Sequence, residues 1–379
     1  MKFILIGNYP PDQQESMQRY TNGLAYNLKQ KKVSVEIWLP TVFFGRLVKS
    51  PHHGLGKWLN YIDKWLIFPI VISARLFMRK KHFRDISFHV CDHSNSPYLN
   101  YLPAVRSGIT CHDVLAIRGA FGDKDAHCEA SRTGKILQRW ILSHLKKTTI
   151  LTAVSHLTMK QLVELCEFEP VKLHAQWKVI YNTFNAEFKP MASAKAKKLL
   201  AAKIPENRDF ILHVGSSLAR KNRKMLLDMV HELGEHWNGV ICYAGQSIDE
   251  ALVNHARDLG LEHRLIGIET PSHEVLVALY SSCTAFVFPS FSEGFGWPLI
   301  EAQACGAPVL ASNAAPMPEI SNGSALHANP YDAASFAKAF SRLLTEKDSL
   351  IERGYENCKR FDPETLTTQF INLYKPGYK

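Results

Sequence analysis

Two acidic residues, Glu293 and Glu301, occur with seven residues between them in a stretch rich in glycine, proline and aromatic side chains. A carboxylate accepts several hydrogen bonds at once, which suits the vicinal hydroxyls of a sugar or a ribose. A single glutamate near a helix start is more often only a favourable charge for the helix dipole. Here both glutamates occur together with the glycines and the proline, and this combination favours a site for hydroxyl groups.

The surrounding sequence predicts a strand, a glycine-containing loop and a helix that position these carboxylates. Residues Ala285–Phe288 are apolar, aromatic or β-branched, as in a buried strand. A loop follows at 289–296, and Pro298 suits the start of a helix that Gly306 and Pro308 end. The free N–H groups of a helix N-terminus bind anions. Amides for phosphate next to carboxylates for hydroxyls suit a sugar nucleotide.

A second strand that ends in glycine lies at 210–215, before the basic segment SSLARKNRK at 216–224 and a predicted helix at 224–234. A strand, a loop of small residues and a basic helix start can form a cradle for phosphate. Most basic runs are only solvated loops, and that interpretation stays open here. The strand predicted at 240–244 ends in the same way, at Gly245.

The N-terminal part of the chain predicts a strand at 2–7, a helix at 17–29 that Ser16 can cap, and a strand at 33–39. This order is the start of a Rossmann-like unit.

Two histidines, His93 and His112, lie just after further predicted strands at 86–90 and 108–110. Parallel strands end at the ligand crevice of such sheets. A lone histidine is more often structural, and that interpretation stays open for both residues on position alone.

The run from Glu293 to Glu301, with Pro298 inside it and Cys305-Gly306-Ala307-Pro308 after it, resembles the E-x7-E signature of family 4 retaining glycosyltransferases. The resemblance implies an α/β protein of GT-B fold, with two Rossmann-like domains whose parallel sheets face a central cleft. We expect an N-terminal, acceptor-binding domain at 1–186, onto which the C-terminal helix at 363–379 packs. The nucleotide-sugar-binding domain is expected at 187–362, and its first residues, 187–208, are expected to form a lysine-rich connector.

The resemblance assigns roles to several residues. It implies that Glu301 holds the ribose, that Glu293 holds the hydroxyls of the donor sugar and that His112 faces the donor near its reacting carbon. Backbone amides of the glycine loop would stabilise the leaving diphosphate; that loop contains Gly294, Phe295 and Gly296.

Lys221 matches a family lysine that binds the donor diphosphate. Many members have an arginine directly after the first-strand glycine, where this chain has Ser216, so Arg220 is the substitute for the missing charge. A second departure lies in the first loop, where residues 14–17 replace the family's glycine pair. We count His112, Glu293 and Lys221 as catalytic candidates, and Ser216 and Gly245 with the others as donor-binding candidates.

Composition describes a globular protein with an anionic partner. A length of 379 residues is sufficient for two domains. The eight cysteines are scattered along the chain, which favours reduced thiols over a set of disulfides or a zinc site. The formal net charge of +10 favours nucleic acid, anionic lipid or a phosphorylated substrate. No zinc-finger or RNA-recognition signature supports nucleic acid, and neither a signal peptide nor a run of membrane-spanning length is visible.

Residues 54–83 contain an apolar run that basic residues flank. One interpretation is an interfacial segment that rests on an anionic membrane, with the protein on the inner face of the plasma membrane. The other is a long helix with one buried face and a solvated basic end.

The resemblance therefore implies a retaining hexosyltransferase that needs no metal and no cofactor, and we expect it in the cytoplasm. It would move a hexose from a nucleoside diphosphate to a glycan or lipid-linked acceptor in envelope or exopolysaccharide synthesis. UDP-glucose is the first candidate for the donor, because it is frequent in the family, and GDP-mannose is the second. A sugar phosphorylase with pyridoxal phosphate and a non-catalytic basic protein that binds membrane or nucleic acid are the alternatives.

Overall fold

A computed structural model describes residues 1–47, 54–79, 85–167, 176–205 and 208–375. The chain divides into two compact units. The first contains Met1–Phe121, Ala130–Asn185 and Pro363–Lys379, and the second contains Gly122–Glu129 and Ala186–Asp362. All eight cysteines are free thiols, and six of them are buried.

The first unit is built on a six-stranded sheet in which every neighbouring pair of strands is parallel. Its strands are β1 (Lys2–Ile6), β2 (Ser34–Trp38), β3 (Ile86–Val90), β4 (Ser107–Cys111), β5 (Ile150–Ala153) and β6 (Gln176–Val179). The strand order is β2-β1-β3-β4-β5-β6. The strands β3, β4 and β5 are buried along their whole length, because helices cover both faces of a parallel sheet.

Helices of the first unit are α1 (Glu15–Gln30), α2 (Gly54–Ile62), α3 (Phe68–Met78), α4 (Leu115–Ala120), α5 (Arg132–Leu145), α6 (His156–Cys166) and α14 (Pro363–Asn372). A π-helical turn at Asp63–Ile67 joins α2 to α3 into one long helix. Phe370 of α14 packs on Phe3 of β1, with 5.6 Å between the ring centroids. The C-terminal helix thus covers one face of the first sheet.

The second unit has a second six-stranded parallel sheet. Its strands are β7 (Phe210–Gly215), β8 (Val240–Gly245), β9 (Leu265–Glu269), β10 (Ala285–Phe288), β11 (Val309–Ser312) and β12 (Leu326–Ala328). The order β12-β11-β10-β7-β8-β9 is that of a dinucleotide-type Rossmann sheet, with its topological switch between β7 and β10.

Helices of the second unit are α7 (Ser193–Leu200), α8 (Lys224–Leu233), α9 (Glu250–Asp258), α10 (His273–Ser282), α11 (Trp297–Ala304), α12 (Met317–Ser321) and α13 (Ala333–Cys358). Its core joins apolar residues of α8 and α13 to the strands, with Phe336 and Phe340 among the largest fully buried side chains.

Two local expectations differ from the structure. The helix α1 begins at Glu15, and its N-cap is Gln14 without a side-chain hydrogen bond, so Ser16 lies inside the helix and does not cap it. Residues Gly122–Glu129, which the sequence places in the N-terminal domain, pack with the second unit.

Candidate functional site

The loops after β7 and β10 lie side by side at the carboxyl edge of the second sheet. These two strands are direct neighbours, with Ala285 opposite Ile211 and Phe286 opposite Leu212. They also flank the switch point of the sheet, where neighbouring loops diverge and leave a crevice for a ligand. Topology therefore brings the basic segment and the glycine loop to one place.

Glu293 makes two ion pairs with the basic segment. Lys221 Nζ donates to Glu293 Oε1 at 2.5 Å, and Arg220 Nη1 donates to Oε2 at 2.8 Å. Burial alone would raise the pKa of Glu293, but the charges of Lys221 and Arg220 outweigh burial and lower it to about 2. The carboxylate is therefore ionised and holds both cations in the ligand-free protein.

Backbone bonds fix the two loops to each other. The N–H of Phe291 donates to the carbonyl of Arg220 at 2.8 Å. Asn222 follows the short 3-10 turn Ala219–Lys221 and has φ 51°. Its side-chain amide donates to the carbonyls of Pro289 and Pro330 at 3.2 and 2.8 Å. Lys221 Nζ also lies 5.3 Å from the ring centroid of Phe288. Contacts from the segments at the ends of β7 and β10 therefore fix the position of the Lys221 side chain.

The helix α11 starts where the glycine loop turns. Gly296 is its N-cap with φ 99°, a left-handed conformation that disfavours any side chain. A Cβ at this position would also lie 3.3 Å from the ring of Phe288. The first N–H groups of α11 therefore follow directly on the loop that carries Glu293 and Gly294.

Glu301 lies on the buried face of α11, with 5% of its surface exposed, and it accepts a hydrogen bond from the Tyr280 hydroxyl at 3.1 Å. It is therefore not a solvent-facing charge at a helix start. Phe295 is also buried, and its ring packs at 5.7 Å from that of Phe361. Only the backbone of Phe295 can contribute to a site at this loop.

The loop after β8 lies against the loop after β7 at Gly245, where the absence of a side chain allows close approach. It has φ 123°, and a Cβ there would lie 2.6 Å from the carbonyl oxygen of Gly215. The side chain of Gln246 accepts from the N–H and the hydroxyl of Ser217 at 2.7 and 3.0 Å. Ser216 lies half-buried in this tied loop. These candidates share one edge of the sheet with Lys221.

His213 is a buried residue of the site that the sequence did not single out. Its Nδ1 donates to the carbonyl of Val287 at 3.2 Å, and its Nε2 lies 3.5 Å from where a Cβ on Gly215 would be. Burial lowers the pKa of His213 to about 3, so the ring is neutral and Nε2 is an acceptor. In the sequence, only its position two residues before the strand-end Gly215 could have indicated that His213 belongs to the site.

A stack of three aromatic rings borders the glycine loop and was also missed. The rings of His127 and Phe291 stack at 4.8 Å, and those of Phe291 and Tyr331 at 4.7 Å. His127 comes from the segment 122–129, which explains why that segment packs with the second unit.

His112 lies in the first unit, directly after β4, and is buried with 6% of its surface exposed. Its Nε2 donates to the carbonyl of Cys91 at 2.8 Å, so the proton is on Nε2. Burial lowers the pKa of His112, which makes the ring neutral. Its ring meets that of Tyr20 edge-on at 4.5 Å. Asp113 Oδ1 accepts from the N–H of Leu115, the first residue of α4, at 3.0 Å.

A polar cluster occupies the switch point of the first sheet, between β1 and β3. Asn8 donates to Asp92 Oδ2 at 2.6 Å and to the side chain of Gln14, and Asn95 donates back to Asn8 at 3.1 Å. Gln14 belongs to the loop that lacks the family's glycine pair. His93, the weaker histidine candidate, lies beside this cluster, with its Nδ1 3.3 Å from Asp92 Oδ1.

Within the described ranges, none of the helices combines the length and apolar character needed to cross a membrane. Over the same residues, no group of three or more His, Cys, Asp or Glu side chains is arranged to hold a metal ion.

Residues 195–361 match the family model described as "Glycosyl transferases group 1". O-antigen chain mannosyltransferase B from Escherichia coli is 39% identical over 105 residues, which cover 27% of this chain and 28% of that enzyme. The chain spans between 17% and 45% of the length of the four curated relatives that head the comparison.

Solved structures match over the whole chain. Sucrose-phosphate synthase from Thermosynechococcus elongatus aligns with a TM-score of 0.74 at 20% identity, covering 99% of this chain and 98% of that one. HepE from Anabaena, in complex with UDP and glucose, aligns with a TM-score of 0.70 at 17% identity, covering 98% of each chain. The predicted fold class is therefore confirmed: the chain has the GT-B fold, with two Rossmann-like parallel sheets, and its second unit contains the segment that matches the group 1 glycosyl transferases.

Proposed function

We propose that the protein is a glycosyltransferase that moves a hexose from a nucleoside-diphosphate sugar to a hydroxyl of a glycan or a lipid-linked acceptor. The observation that carries this proposal is the cluster of Lys221, Arg220 and Glu293, beside the N-terminus of α11. The match of residues 195–361 to the group 1 glycosyl transferases supports it.

The diphosphate would bind where the positive charge of the basic segment meets the amide end of α11. Lys221 and Arg220 supply two cations, and the backbone of Gly294, Phe295 and Gly296 leads into the first turn of α11. Ser216 and Gly245 line the neighbouring loops, and the close approach at Gly245 leaves that edge without side chains. A charge-assisted contact of this kind contributes roughly 1.5–3 kcal/mol.

The two carboxylates would take the hydroxyl groups of the donor. Glu301 lies deeper, on the buried face of the helix, which suits the ribose. Glu293 lies in the loop next to the cations, which suits the sugar on the far side of the diphosphate. His112 would contact the donor near its reacting carbon, as the family resemblance implies, and its neutral ring would add no charge there.

The proposed transfer retains configuration and needs neither a metal nor an enzyme nucleophile. The bond between the anomeric carbon and the phosphate oxygen breaks, and the acceptor oxygen bonds to the same face of that carbon. The acceptor's proton passes to the leaving phosphate oxygen. Lys221 and Arg220 offset the charge that develops on the diphosphate, which is the role that preorganised cations play in such sites.

Two donors are candidates. UDP-glucose is the expectation from the family resemblance. GDP-mannose gains weight because the curated relative with 39% identity is named a mannosyltransferase of the O-antigen chain. We place the acceptor among the envelope polysaccharides for the same reason.

A nucleotide-release assay with UDP-glucose and GDP-mannose, with and without envelope polysaccharide intermediates, tests the proposal. We expect nucleotide release from one donor that depends on an acceptor and yields an α-linked product when the donor is α-linked. Release from neither donor, with every acceptor class tried, would contradict the enzyme assignment. An inverted product would contradict only the retaining mechanism.

We also propose that the long helix of α2, the π turn and α3 rests on an anionic membrane surface. Trp58, Leu66, Ile70 and Phe77 are between 56% and 71% exposed. Spacings of four and seven residues are one and two α-helical turns, and the wider π turn accommodates the spacing of eight between Trp58 and Leu66. These side chains therefore form one exposed apolar stripe. Its opposite face is buried, with Phe68 and Ile72 in the core.

Part of the basic charge counted in this segment is neutralised within the unit. Lys64 pairs with Asp12 at 2.6 Å, and Arg79 pairs with Glu36 at 2.8 Å. Arg75 also turns toward the core, with its guanidinium 5.0 Å from the ring centroid of the buried Trp38. Lys57, next to the exposed Trp58 in the sequence, supplies positive charge toward anionic lipid in the described part of the segment. Residues 80–83 of the predicted segment lie outside the described residues.

A further inference from the structure

Glu293 forms ion pairs with both cations of the candidate diphosphate site in the ligand-free protein. Each of its two oxygens accepts from a different cation, Lys221 at 2.5 Å and Arg220 at 2.8 Å. The side chains of Glu293, Lys221 and Arg220 are only 8%, 11% and 21% exposed. Water therefore screens these ion pairs much less than it screens a surface pair.

This arrangement conflicts with the bound state that the proposed function requires, and the inference rests on that function. The diphosphate needs the same two cations, and the hexose hydroxyls need the same two carboxylate oxygens. Neither half of the donor can bind fully while Glu293 remains paired as it is.

We propose that Glu293 is a placeholder for the donor's phosphates and selects the intact donor over the nucleotide product. In the empty site it holds Lys221 and Arg220 in place. When a sugar nucleotide binds, the phosphates take the cations and the hexose hydroxyls take the carboxylate oxygens. No covalent bond changes in this exchange, and every charged group keeps a partner.

A free nucleoside diphosphate can complete only half of this exchange. It takes the cations but brings no hexose hydroxyls, so Glu293 is left as a buried carboxylate next to negative phosphates. A buried charge that loses its partner is strongly destabilising. The product is therefore held less tightly than the donor, and it leaves the site readily after transfer.

The surrounding structure permits the exchange without backbone movement. The two loops remain tied through Phe291 and Asn222, whose hydrogen bonds do not involve the exchanging side chains. Lys221 Nζ keeps its position near the face of Phe288 as it turns from carboxylate to phosphate. Only the side chains of Lys221, Arg220 and Glu293 need to reorient.

Calorimetric titration of the full-length chain with UDP and GDP tests the exchange in the Glu293→Gln variant. Glutamine keeps the size and one acceptor oxygen but releases the cations. We expect it to bind the preferred free diphosphate about three- to tenfold more tightly than the wild type does. Binding of the intact donor should improve less or weaken. An unchanged or weaker affinity for the free diphosphate in the folded variant overturns the proposal.

Two control variants separate this effect from a general loss of negative charge. Glu262→Gln removes a carboxylate that pairs with Arg257 at 2.8 Å on the exposed surface of the same unit, and it should leave both affinities unchanged. Glu301→Gln removes the candidate ribose contact, and it should weaken binding of the free nucleotide. An equal gain in affinity in Glu262→Gln would overturn the placeholder role.

Inorganic pyrophosphate separates failure of the exchange from failure of the proposed function, because it contains neither base nor sugar. Tighter pyrophosphate binding to Glu293→Gln supports the exchange even if no sugar is transferred. Equal or weaker binding contradicts it even in an active transferase. Should Glu293→Gln fail to fold in thermal unfolding, Glu293→Asp, whose shorter carboxylate holds the cations less well, must shift affinity in the same direction.

Discussion

Lys221 links several parts of the candidate site, since it pairs with Glu293 and lies near the ring of Phe288 and the loop at Gly215. We expect Lys221→Ala to lower kcat/KM for the donor roughly ten- to hundredfold, because a charge-assisted hydrogen bond is worth about 1.5–3 kcal/mol. Steady-state kinetics over a range of donor concentrations measures this loss.

Lys224→Ala provides the matched control for that prediction. Lys224 belongs to the same basic segment, but it is exposed at the start of α8. Its removal should change the donor kinetics by less than about twofold, as expected for a surface charge. Equal losses in both variants would show that only the net charge of the segment matters.

The ionisation of Glu293 makes stability depend on pH in a definite direction. Its pKa in the folded protein is about 2, against an ordinary value of 4.5. The stabilisation from its ion pairs is therefore complete above about pH 4.5 and is lost as pH falls toward 2. Wild type should be more stable than Glu293→Gln near neutral pH, and the difference should shrink steadily below about pH 4.5. Urea unfolding at several pH values measures it; a constant difference would contradict the assigned ion pairs.

At the scale of elements, the contact between the loops after β7 and β8 depends on the absence of a side chain at Gly245. Gly245→Ala should raise the KM for the donor and lower stability, because its Cβ would meet the carbonyl of Gly215 at 2.6 Å. Gly260→Ala is the control: Gly260 has φ 71°, but a Cβ there meets nothing within 4 Å. That variant should lose about 1–2 kcal/mol of stability from backbone strain, without any change in KM.

The exposed stripe of the long helix predicts membrane binding that depends on single apolar residues. Ile70→Ser should weaken partition of the protein onto anionic vesicles, and salt should weaken partition of the wild type. Ile136→Ser is the control, since Ile136 is 67% exposed on α5, outside the stripe. Vesicle sedimentation measures both. Equal effects of the two substitutions, or equal partition onto neutral and anionic vesicles, would contradict a membrane-facing stripe.

At the scale of the whole molecule, most of the fold could be predicted because its units repeat one local pattern of strand, loop and helix. The unit around Glu293 was the clearest, because the turn at Gly296 and the proline in the first turn of α11 both favour a helix start there. Two such sheets follow from that repetition, and the structural comparisons confirm the GT-B fold. Short elements such as β12, with three residues, carry too little periodicity to be recognised.

The contacts that build the candidate site could not be predicted from sequence spacing. Lys221 and Glu293 are 72 positions apart, and nothing local to either residue predicts that they pair. The same holds for His127, which stacks on Phe291 from a segment that interrupts the first unit. Such pairs follow from strand order, which places β7 next to β10, and not from propensity.

We propose that the edge formed by β7, β8 and β10 binds a nucleoside-diphosphate hexose through Lys221 and Arg220. Isothermal titration of the wild type and the Arg220→Ala/Lys221→Ala double variant with UDP-glucose and GDP-mannose tests it most directly. We predict that wild type binds one donor with a dissociation constant between about 1 μM and 1 mM. The double variant should lose this binding and still unfold cooperatively, at a lower temperature because the buried Glu293 carboxylate has lost both partners. Absence of binding to either donor, or equal binding to both proteins, would contradict the claim.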